Sequence, residues 1–224
     1  MIGALIVAAG SSSRMQGIDK ILMPIDGVPV ITRTCKVFQA SDAVDKIVVV
    51  GSKENITKIR SVLPSNEFTK VAAVVEGGEI RPQSVLNGLR ELSDCEYVMI
   101  HDGARPFVTE EIIATGLDAV KRFDAVCCGI PATDTIKLVQ DGVVQYTLNR
   151  KFIWNAQTPQ IFRYDLIMDA YKDADLENVT DDAMLVEKMG HVVVMFKGSK
   201  ENIKITDQND IAMCDAIIRS RKNK

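Results

Sequence analysis

Short apolar runs alternate along this chain with stretches in which apolar residues recur at helical spacing. The first run, Ile2–Ala8, is almost wholly apolar, and residues 46–50 are rich in valine and isoleucine. Runs this short and this apolar are typical of strands that are buried on both faces of a parallel sheet. The alternation of strand and helix predicts an α/β fold with a mixed, mainly parallel sheet flanked by helices.

The remaining elements follow from the same two periodicities. Strands are predicted at residues 2–8, 46–50, 71–75, 97–101, 125–130 and 191–196. Helices are predicted at residues 30–40, 54–63, 82–92, 109–122, 163–172, 181–189 and 207–221. Thr109 and Pro82 support two of these helices, because threonine caps helix starts and proline is well tolerated in a first turn.

The alternation is interrupted from about residue 133 to residue 154, where the sequence is β-rich and contains turn residues. Residues 135–139 and 143–147 flank Asp141-Gly142, a dipeptide typical of a tight β-hairpin. A hairpin that projects from an α/β core leaves its edges exposed and often pairs with another subunit. We expect one domain, residues 1–224, with a dimerisation β-arm at about 133–156.

The composition is that of a globular protein, since 46% of the 224 residues are hydrophobic and 25% are charged. A formal net charge of -3 gives no overall basic field, so we expect neither nucleic acid nor a membrane as a partner. The apolar N-terminus is too short to span a bilayer and lacks a basic leader, so we expect a cytoplasmic protein. Five scattered cysteines and two histidines favour neither a disulfide framework nor a zinc site.

The loop after the first strand is the first candidate site. It begins with four small residues, Ala8, Ala9, Gly10 and Ser11. Such residues let backbone N–H groups approach a phosphate, and Arg14 and Lys20 add cations that can reach a triphosphate. A strand-exit loop with solvated charges is the alternative, because the glycine spacing fits neither a dinucleotide-binding fingerprint nor a Walker loop.

Two later loops carry further candidate chemistry. Gly77-Gly78 leads into a helix and permits close backbone contact with a flat base, whose edge Ser84 could bond, although a simple turn is the alternative. Asp102 ends a strand before a glycine and is well placed to hold Mg²⁺ on a nucleotide. Arg105 could pair either with Asp102 or with a substrate.

Seven short motifs occur in a fixed order over nearly the whole chain. Through them the sequence resembles the family of 2-C-methyl-D-erythritol 4-phosphate cytidylyltransferase, an enzyme of the non-mevalonate isoprenoid pathway. The motifs are A-A-G-x-x-x-R-M at 8–15 with its lysine at Lys20, G-G-x-x-R-x-x-S at 77–84, H-D-x-A-R-P at 101–106, D-T-x-K at 134–137, T-P-Q at 158–160, T-D-x-A at 180–183 and N-I-K-x-T at 202–206. The sequence departs from the family pattern at Glu79, where aspartate is expected. The resemblance implies a Rossmann-like, GT-A-like nucleotidyltransferase fold.

The resemblance also implies that CTP and methylerythritol phosphate react with release of pyrophosphate, with Mg²⁺ held by Asp102. The implied catalytic cations are Arg14, Lys20, Arg150 and Lys204. The implied nucleotide-binding residues are Ala8, Ala9, Gly10, Ser11, Gly78, Glu79, Arg81, Ser84 and Ala104. The implied acceptor-binding residues are Thr135, Arg105, Arg150 and Lys204. A homodimer is implied as well, in which the arm of one subunit completes the site of its partner.

Three alternatives remain at this point. A ribitol-5-phosphate cytidylyltransferase has the same chemistry, although the motifs at 134–137 and 180–183 favour methylerythritol phosphate. An NAD-dependent oxidoreductase is disfavoured because no acidic residue ends the second strand, where Gly51-Ser52 follows instead. A non-catalytic nucleotide-binding protein is disfavoured because binding alone does not need cations on both sides of one phosphorus.

Overall fold

The computed structural model describes residues 1–10, 19–172 and 174–222, and within these ranges the chain forms eleven strands and seven helices. The strands are β1 (Ile2–Ala8), β2 (Pro24–Ile25), β3 (Val28–Pro29), β4 (Lys46–Gly51), β5 (Val71–Glu76), β6 (Tyr97–Asp102), β7 (Ala125–Pro131), β8 (Lys137–Gln140), β9 (Val143–Thr147), β10 (Trp154–Arg163) and β11 (Val194–Lys197). The helices are α1 (Val30–Ala40), α2 (Ile56–Val62), α3 (Arg81–Arg90), α4 (Glu110–Phe123), α5 (Tyr164–Lys172), α6 (Ala183–Lys188) and α7 (Asn209–Lys222). A short 3-10 turn, Arg150–Phe152, precedes β10.

Seven of these strands form one sheet in the order β11-β7-β10-β6-β1-β4-β5. Six strands run in the same direction, and β10 is antiparallel to both of its neighbours, β6 and β7. This mixed, mainly parallel sheet flanked by helices confirms the predicted fold class. The carboxyl ends of β1, β4 and β6 meet at one edge, which is where ligands bind in sheets of this kind.

Both faces of the sheet are covered by apolar side chains, because successive residues of a strand point to opposite sides. Ala4 and Ile6 of β1 pack with α1, α4 and α7 on one face, whereas Leu5 packs with α3, α5 and α6 on the other. Each fully buried leucine or isoleucine side chain contributes about 1.5–3 kcal/mol of transfer free energy. The two-sided burial explains why the strands read as continuous apolar runs.

All seven predicted helices are present among the described residues, with small shifts at their ends. The predicted cap of α4 is confirmed, since the Thr109 hydroxyl accepts a hydrogen bond from the Ile112 backbone N–H at 3.4 Å. The predicted last strand begins later than expected, at Val194. Within the described ranges, no helix combines the length and the apolar character needed to cross a membrane.

The predicted hairpin is confirmed as β8 and β9, which form a separate two-stranded sheet. Its turn residues Asp141 and Gly142 have φ angles of 51° and 78°. Positive φ at both central positions is the requirement of a type I′ turn, which explains the Asp-Gly dipeptide. Every residue of both strands is exposed.

The sequence did not predict β10, which occupies the middle of the sheet. Its second half is almost fully buried although it carries Gln157, Thr158 and Gln160, and these polar residues hide the apolar pattern of a buried strand. Pro159 also argues against a central strand, because it cannot donate to the ladder. The pairing of β10 with β7 shifts register between Ala156 and Gln160, so the proline lies where the ladder is interrupted.

A buried histidine joins β6 to β10. His101 is 0% exposed; its Nε2 lies 3.2 Å from the Arg105 carbonyl oxygen and its Nδ1 lies 3.1 Å from Thr158 Oγ1. A carbonyl can only accept, so Nε2 carries the proton and Nδ1 accepts from the Thr158 hydroxyl. The same hydroxyl oxygen accepts from the Asp102 backbone N–H at 3.0 Å. Burial lowers the pKa of His101 to about 4, so the ring is neutral at neutral pH.

This arrangement predicts a pH-dependent stability. Below about pH 6.5 the unfolded chain protonates His101 whereas the folded chain does not until about pH 4, so stability present above pH 6.5 is lost as the pH falls. Between pH 7 and pH 5 the protonation of this group in the unfolded chain lowers the free energy of unfolding by about 2 kcal/mol. The free energy of unfolding, measured with urea, should therefore fall less between pH 7 and pH 5 in His101→Gln than in the wild type.

The exposed His191 provides the matched control, and His191→Gln should follow the wild-type pH dependence. A stability difference between wild type and His101→Gln that stays constant from pH 7 to pH 5 would contradict the prediction.

Candidate active site

A cavity of about 390 Å³ opens at the carboxyl ends of β1 and β6. Every predicted nucleotide-binding residue that the structure describes lines it: Ala8, Ala9, Gly10, Gly78, Glu79, Arg81, Ser84 and Ala104. Lys20, Asp102 and Lys204 line the same cavity. The structure therefore brings together residues from four separate motifs. Ser11 and Arg14 lie outside the described residues.

The Gly77-Gly78 segment is held close to the end of β1. The Gly78 backbone N–H donates to Ser84 Oγ at 3.0 Å, and the Gly77 N–H donates to the Gly51 carbonyl at 2.8 Å. A Cβ atom on Gly77 would lie 2.6 Å from both Ala9 Cβ and Ser84 Oγ, so a side chain does not fit there. The Ser84 hydroxyl, which the sequence suggested for a base edge, lies at the cavity wall and also holds the glycine loop through the Gly78 N–H.

Asp102 is the central charge of the site, and it is only 6% exposed. Its Oδ2 atom lies 3.0 Å from Lys204 Nζ and 3.1 Å from Arg105 Nε. Burial opposes ionisation, but the charges of Lys204, Arg105 and Arg81 outweigh it and hold the pKa of the Asp102 carboxyl well below its usual range. Two cations therefore contact one carboxylate oxygen, which leaves a surplus of positive charge at this end of the cavity.

Arg105 makes the ion pair with Asp102 that the sequence offered as one of two roles, and it also lines the second cavity described below. It is buried, pairs with Asp102 and donates from Nη1 to the Asn202 carbonyl at 2.9 Å. The Ile205 N–H donates to the Ala104 carbonyl at 2.9 Å. These bonds fasten the segment of Lys204 to the end of β6, so two motifs that are distant in sequence lie side by side.

A second cavity of about 270 Å³ adjoins the first. The two cavities share Arg81, Asp102 and Lys204. The second cavity is otherwise lined by residues of β6–α4, of β10 and of the segment before α6, as follows: Arg105, Ala156, Gln157, Thr158, Gln160, Thr180 and Asp181. Its three cations, Arg81, Arg105 and Lys204, outnumber its two carboxylates, Asp102 and Asp181. Its lining suits a small, polar, negatively charged molecule.

A buried aspartate that the sequence did not single out supports this region. Asp182 is 0% exposed and accepts hydrogen bonds from Arg81 Nη2 at 2.7 Å and from the Tyr171 hydroxyl at 2.6 Å. Gln160 Oε1 accepts from the backbone N–H groups of Asp182 and Ala183, both at 3.0 Å. The signal was present, because Asp182 and Gln160 lie inside two of the seven motifs, although no role was assigned to either residue.

Arg81 extends from this network to both cavities. Burial opposes its charge, but the carboxylates of Asp182 and Asp102 outweigh burial and raise the pKa of the guanidinium above its usual range. Its Nη2 binds Asp182, and its Nη1 is buried without a hydrogen-bond partner among the described residues. A buried donor without a partner is costly, so this arginine is held in place at an energetic cost.

Two predicted acceptor-binding residues lie elsewhere. Arg150 is exposed in the 3-10 turn before β10, where its Nη1 donates to the Thr133 carbonyl at 2.8 Å. Thr135 lies on the exposed segment before β8. Neither residue is among those described as lining the two cavities. The described part of the chain also contains no group of three or more histidine, cysteine, aspartate or glutamate side chains that could hold a metal ion.

The family model of IspD, 2-C-methyl-D-erythritol 4-phosphate cytidylyltransferase, matches residues 2–220. The 2-C-methyl-D-erythritol 4-phosphate cytidylyltransferase of Dehalococcoides mccartyi (strain ATCC BAA-2266 / KCTC 15142 / 195) is 42% identical over 219 residues, which are 97% of this chain and 96% of that protein. The protein of the same name from Clostridium novyi (strain NT) is also 42% identical, over 98% of this chain and 97% of its own.

Solved structures agree with these matches. A 4-diphosphocytidyl-2C-methyl-D-erythritol synthase from Anaerococcus prevotii DSM 20548 superposes with a TM-score of 0.86 at 32% identity, over 97% of this chain and 96% of that one. The 2-C-methyl-D-erythritol 4-phosphate cytidylyltransferase from Thermus thermophilus superposes with a TM-score of 0.77 at 27% identity, over 97% of this chain and 98% of that one. With the motifs gathered around one pair of cavities and a family match over almost its whole length, the chain belongs to the 2-C-methyl-D-erythritol 4-phosphate cytidylyltransferase family and is a nucleotidyltransferase of isoprenoid precursor biosynthesis.

Proposed function

We propose that the larger cavity binds CTP, that the smaller one binds 2-C-methyl-D-erythritol 4-phosphate, and that cytidylyl transfer takes place where they meet. The observation that carries this proposal is that the cavities share Arg81, Asp102 and Lys204. Two anions must be brought together for the reaction, so cations are needed on both sides of the α-phosphorus. Lys20 supplies the nucleotide side, and Lys204 supplies the acceptor side.

The reaction needs no nucleophile from the protein. The acceptor phosphate attacks the α-phosphorus of CTP in line, and pyrophosphate leaves. The protein positions the two anions and stabilises the charge that develops between them. The surplus positive charge of Lys204 and Arg105 over Asp102 favours an acceptor phosphate at the shared wall. The backbone around Ala8 and Gly78 is proposed to hold the nucleotide.

The donor set near Asp102 fits a magnesium ion that is completed by the nucleotide. The contacts of Lys204 and Arg105 at 3.0 and 3.1 Å are both to Oδ2, so Oδ1 is the oxygen that we propose for the metal. Mg²⁺ commonly takes one or two protein carboxylates and fills its remaining positions with phosphate oxygens and water. In that role Asp102 would hold Mg²⁺, which neutralises charge on the triphosphate.

The arm supports a proposed homodimer. The hairpin exposes large apolar side chains that a monomer leaves in water: Leu138, Val139, Val143, Val144 and Tyr146. Exposed apolar strands of this kind favour pairing with another copy. Since Thr135 and Arg150 lie on the arm and away from the cavities of their own chain, we propose that they complete the acceptor site of the partner subunit.

The acceptor and the metal are tested together by pyrophosphate release. With CTP and Mg²⁺, release should be fastest with 2-C-methyl-D-erythritol 4-phosphate, slow with ribitol 5-phosphate, and suppressed by EDTA. A preference for ribitol 5-phosphate would overturn the proposed acceptor, and undiminished release in EDTA would overturn the metal. CTP binding without release for any acceptor in a panel of sugar and polyol phosphates would favour the non-catalytic alternative.

Removal of the nucleotide-side cation should impair chemistry more than binding. Lys20→Ala is expected to lower kcat by about a hundredfold or more, because the charge is used mainly in the transition state. Steady-state kinetics with varied CTP measure this effect, and exposed Lys121→Ala on α4 is the control. A raised KM for CTP with near-normal kcat in Lys20→Ala would show that the role is wrong.

Mixed dimers test whether Arg150 acts on the partner's site. Arg150→Ala alone should raise KM for the acceptor and leave CTP affinity unchanged. When Lys20→Ala and Arg150→Ala subunits are mixed and allowed to exchange, half of the dimers are hybrids in which one site has both residues intact. At low acceptor concentration, activity should then recover to about a quarter of the wild-type value. If Arg150 acted within its own chain, each site of a hybrid would carry one mutation and activity would not recover. The absence of recovery would therefore contradict the proposal.

A further inference from the structure

We propose that Asn55 is a positioning residue for nucleotidyl transfer, because its side-chain amide joins the end of β1 to Asp19 and so places Lys20 at the nucleotide cavity. This inference rests on the proposed role of Lys20. Asn55 is only 4% exposed, and it does not line the cavity itself. It acts through the residues that it holds.

The Asn55 side chain makes three hydrogen bonds to segments outside its helix. Its Nδ2 donates to the Ala8 carbonyl at 3.2 Å and to Asp19 Oδ2 at 3.1 Å, and its Oδ1 accepts from the Ser52 N–H at 2.7 Å. One amide therefore connects the last residue of β1, the residue before Lys20 and the loop after β4. Asp19 and Ala8 are 36 and 47 residues away in sequence, so these contacts are tertiary.

The position of Asn55 in its own helix makes this use unusual. Asn55 is the N-cap residue of α2, where an asparagine side chain normally accepts a hydrogen bond from an N–H of the first turn. Within the part of the chain that the structure describes, the Asn55 side chain makes no such capping bond. The side chain thus stabilises the segment beside the cavity instead of the helix that it begins.

Lys20 lies between two anchored residues. Asp19 is held by Asn55 and also accepts from the Ile21 N–H through Oδ1 at 2.9 Å. Ile21 is 2% exposed in the core, and its carbonyl accepts from the Ile31 N–H at 2.9 Å. The core fixes the backbone on one side of Lys20. On the other side the Asp19 carbonyl closes a turn by accepting from the Leu22 and Met23 N–H groups at 3.1 and 3.0 Å, and Asn55 ties that turn to the end of β1. Loss of the Asn55 contact should therefore leave the turn intact and release it from β1.

The neighbouring glycine makes room for the asparagine. Gly51 pairs with Ala8 at the ends of β4 and β1. A Cβ atom on Gly51 would lie 2.8 Å from Asn55 Oδ1, so a side chain at Gly51 would displace the amide. An amide is also the group that this place requires, because a carboxylate would face both the Ala8 carbonyl and the Asp19 carboxylate without a donor.

The test compares three full-length variants: Asn55→Ala, Asp19→Ala and the double mutant. Asn55→Ala should lower kcat/KM for CTP by about tenfold or more and leave KM for the acceptor within about twofold of wild type. Asp19→Ala should act in the same direction. Because both changes break the same bond, the double mutant should be no worse than the more impaired single mutant by more than about twofold.

Gln39→Ala is the matched control for loss of a tethering amide. Gln39 donates to the Thr69 hydroxyl at 2.9 Å and accepts from the Lys70 N–H at 2.9 Å, on a helix end away from both cavities. This variant should lower Tm and leave kcat/KM for CTP unchanged. If Asn55→Ala does not fold, Asp19→Ala carries the test, since Asp19 is only partly buried in a turn.

The inference is overturned if Asn55→Ala keeps kcat/KM for CTP within about twofold of wild type, or if the two single effects multiply in the double mutant. A loss that affects both substrates equally and follows the unfolded fraction also overturns it. Lys20→Ala is measured in parallel: if it is impaired while Asn55→Ala is normal, the positioning role alone fails. If Lys20→Ala is itself near normal, the proposed role of Lys20 fails as well.

Discussion

The buried carboxylate of Asp102 is the charge on which the arrangement of the site depends. Burial opposes the ionisation of this carboxyl, and the charges of Lys204 and Arg105, both on one oxygen, compensate for that cost. Loss of one partner of a buried pair such as Arg105 and Asp102 typically costs about 3–5 kcal/mol, because an uncompensated charge remains, whereas the partly exposed Lys204 is screened by water and contributes less. The segment around Lys204 must therefore dock against the end of β6. This docking creates the wall that the two cavities share.

The antiparallel strand β10 is the second constraint, and it follows from the need to satisfy buried polar groups. Thr158 bonds both the His101 ring and the Asp102 backbone, and Gln160 bonds the backbone before α6. A polar group buried without a partner costs roughly 1–3 kcal/mol. The polar residues of β10 thus specify which segments lie beside it. Through Asp182 they also set the place of Arg81, which reaches both cavities.

Much of the nucleotide side could be predicted from the sequence. Lys20, Gly78 and Asp102 all follow apolar runs, and the carboxyl ends of parallel strands meet at one edge of a sheet. By contrast, β10 was missed because its buried glutamines and its proline conceal the periodicity of a strand. Asn55 and Asp182 were missed because their importance depends on partners distant in sequence. Asp182 and Arg81, for example, are separated by 101 residues.

The sequence by itself determined the class of fold, its seven helices, most strands of the main sheet, the hairpin turn and the family. These features are encoded locally, in apolar spacing, in turn residues that tolerate positive φ, and in short motifs. Only the tertiary structure decided that Arg105 and Lys204 share one oxygen of Asp102, that Asp182 holds Arg81, and that Asn55 reaches Asp19. Such pairings arise because burial removes water from these polar groups, so that each must find its partner wherever the folded chain places one.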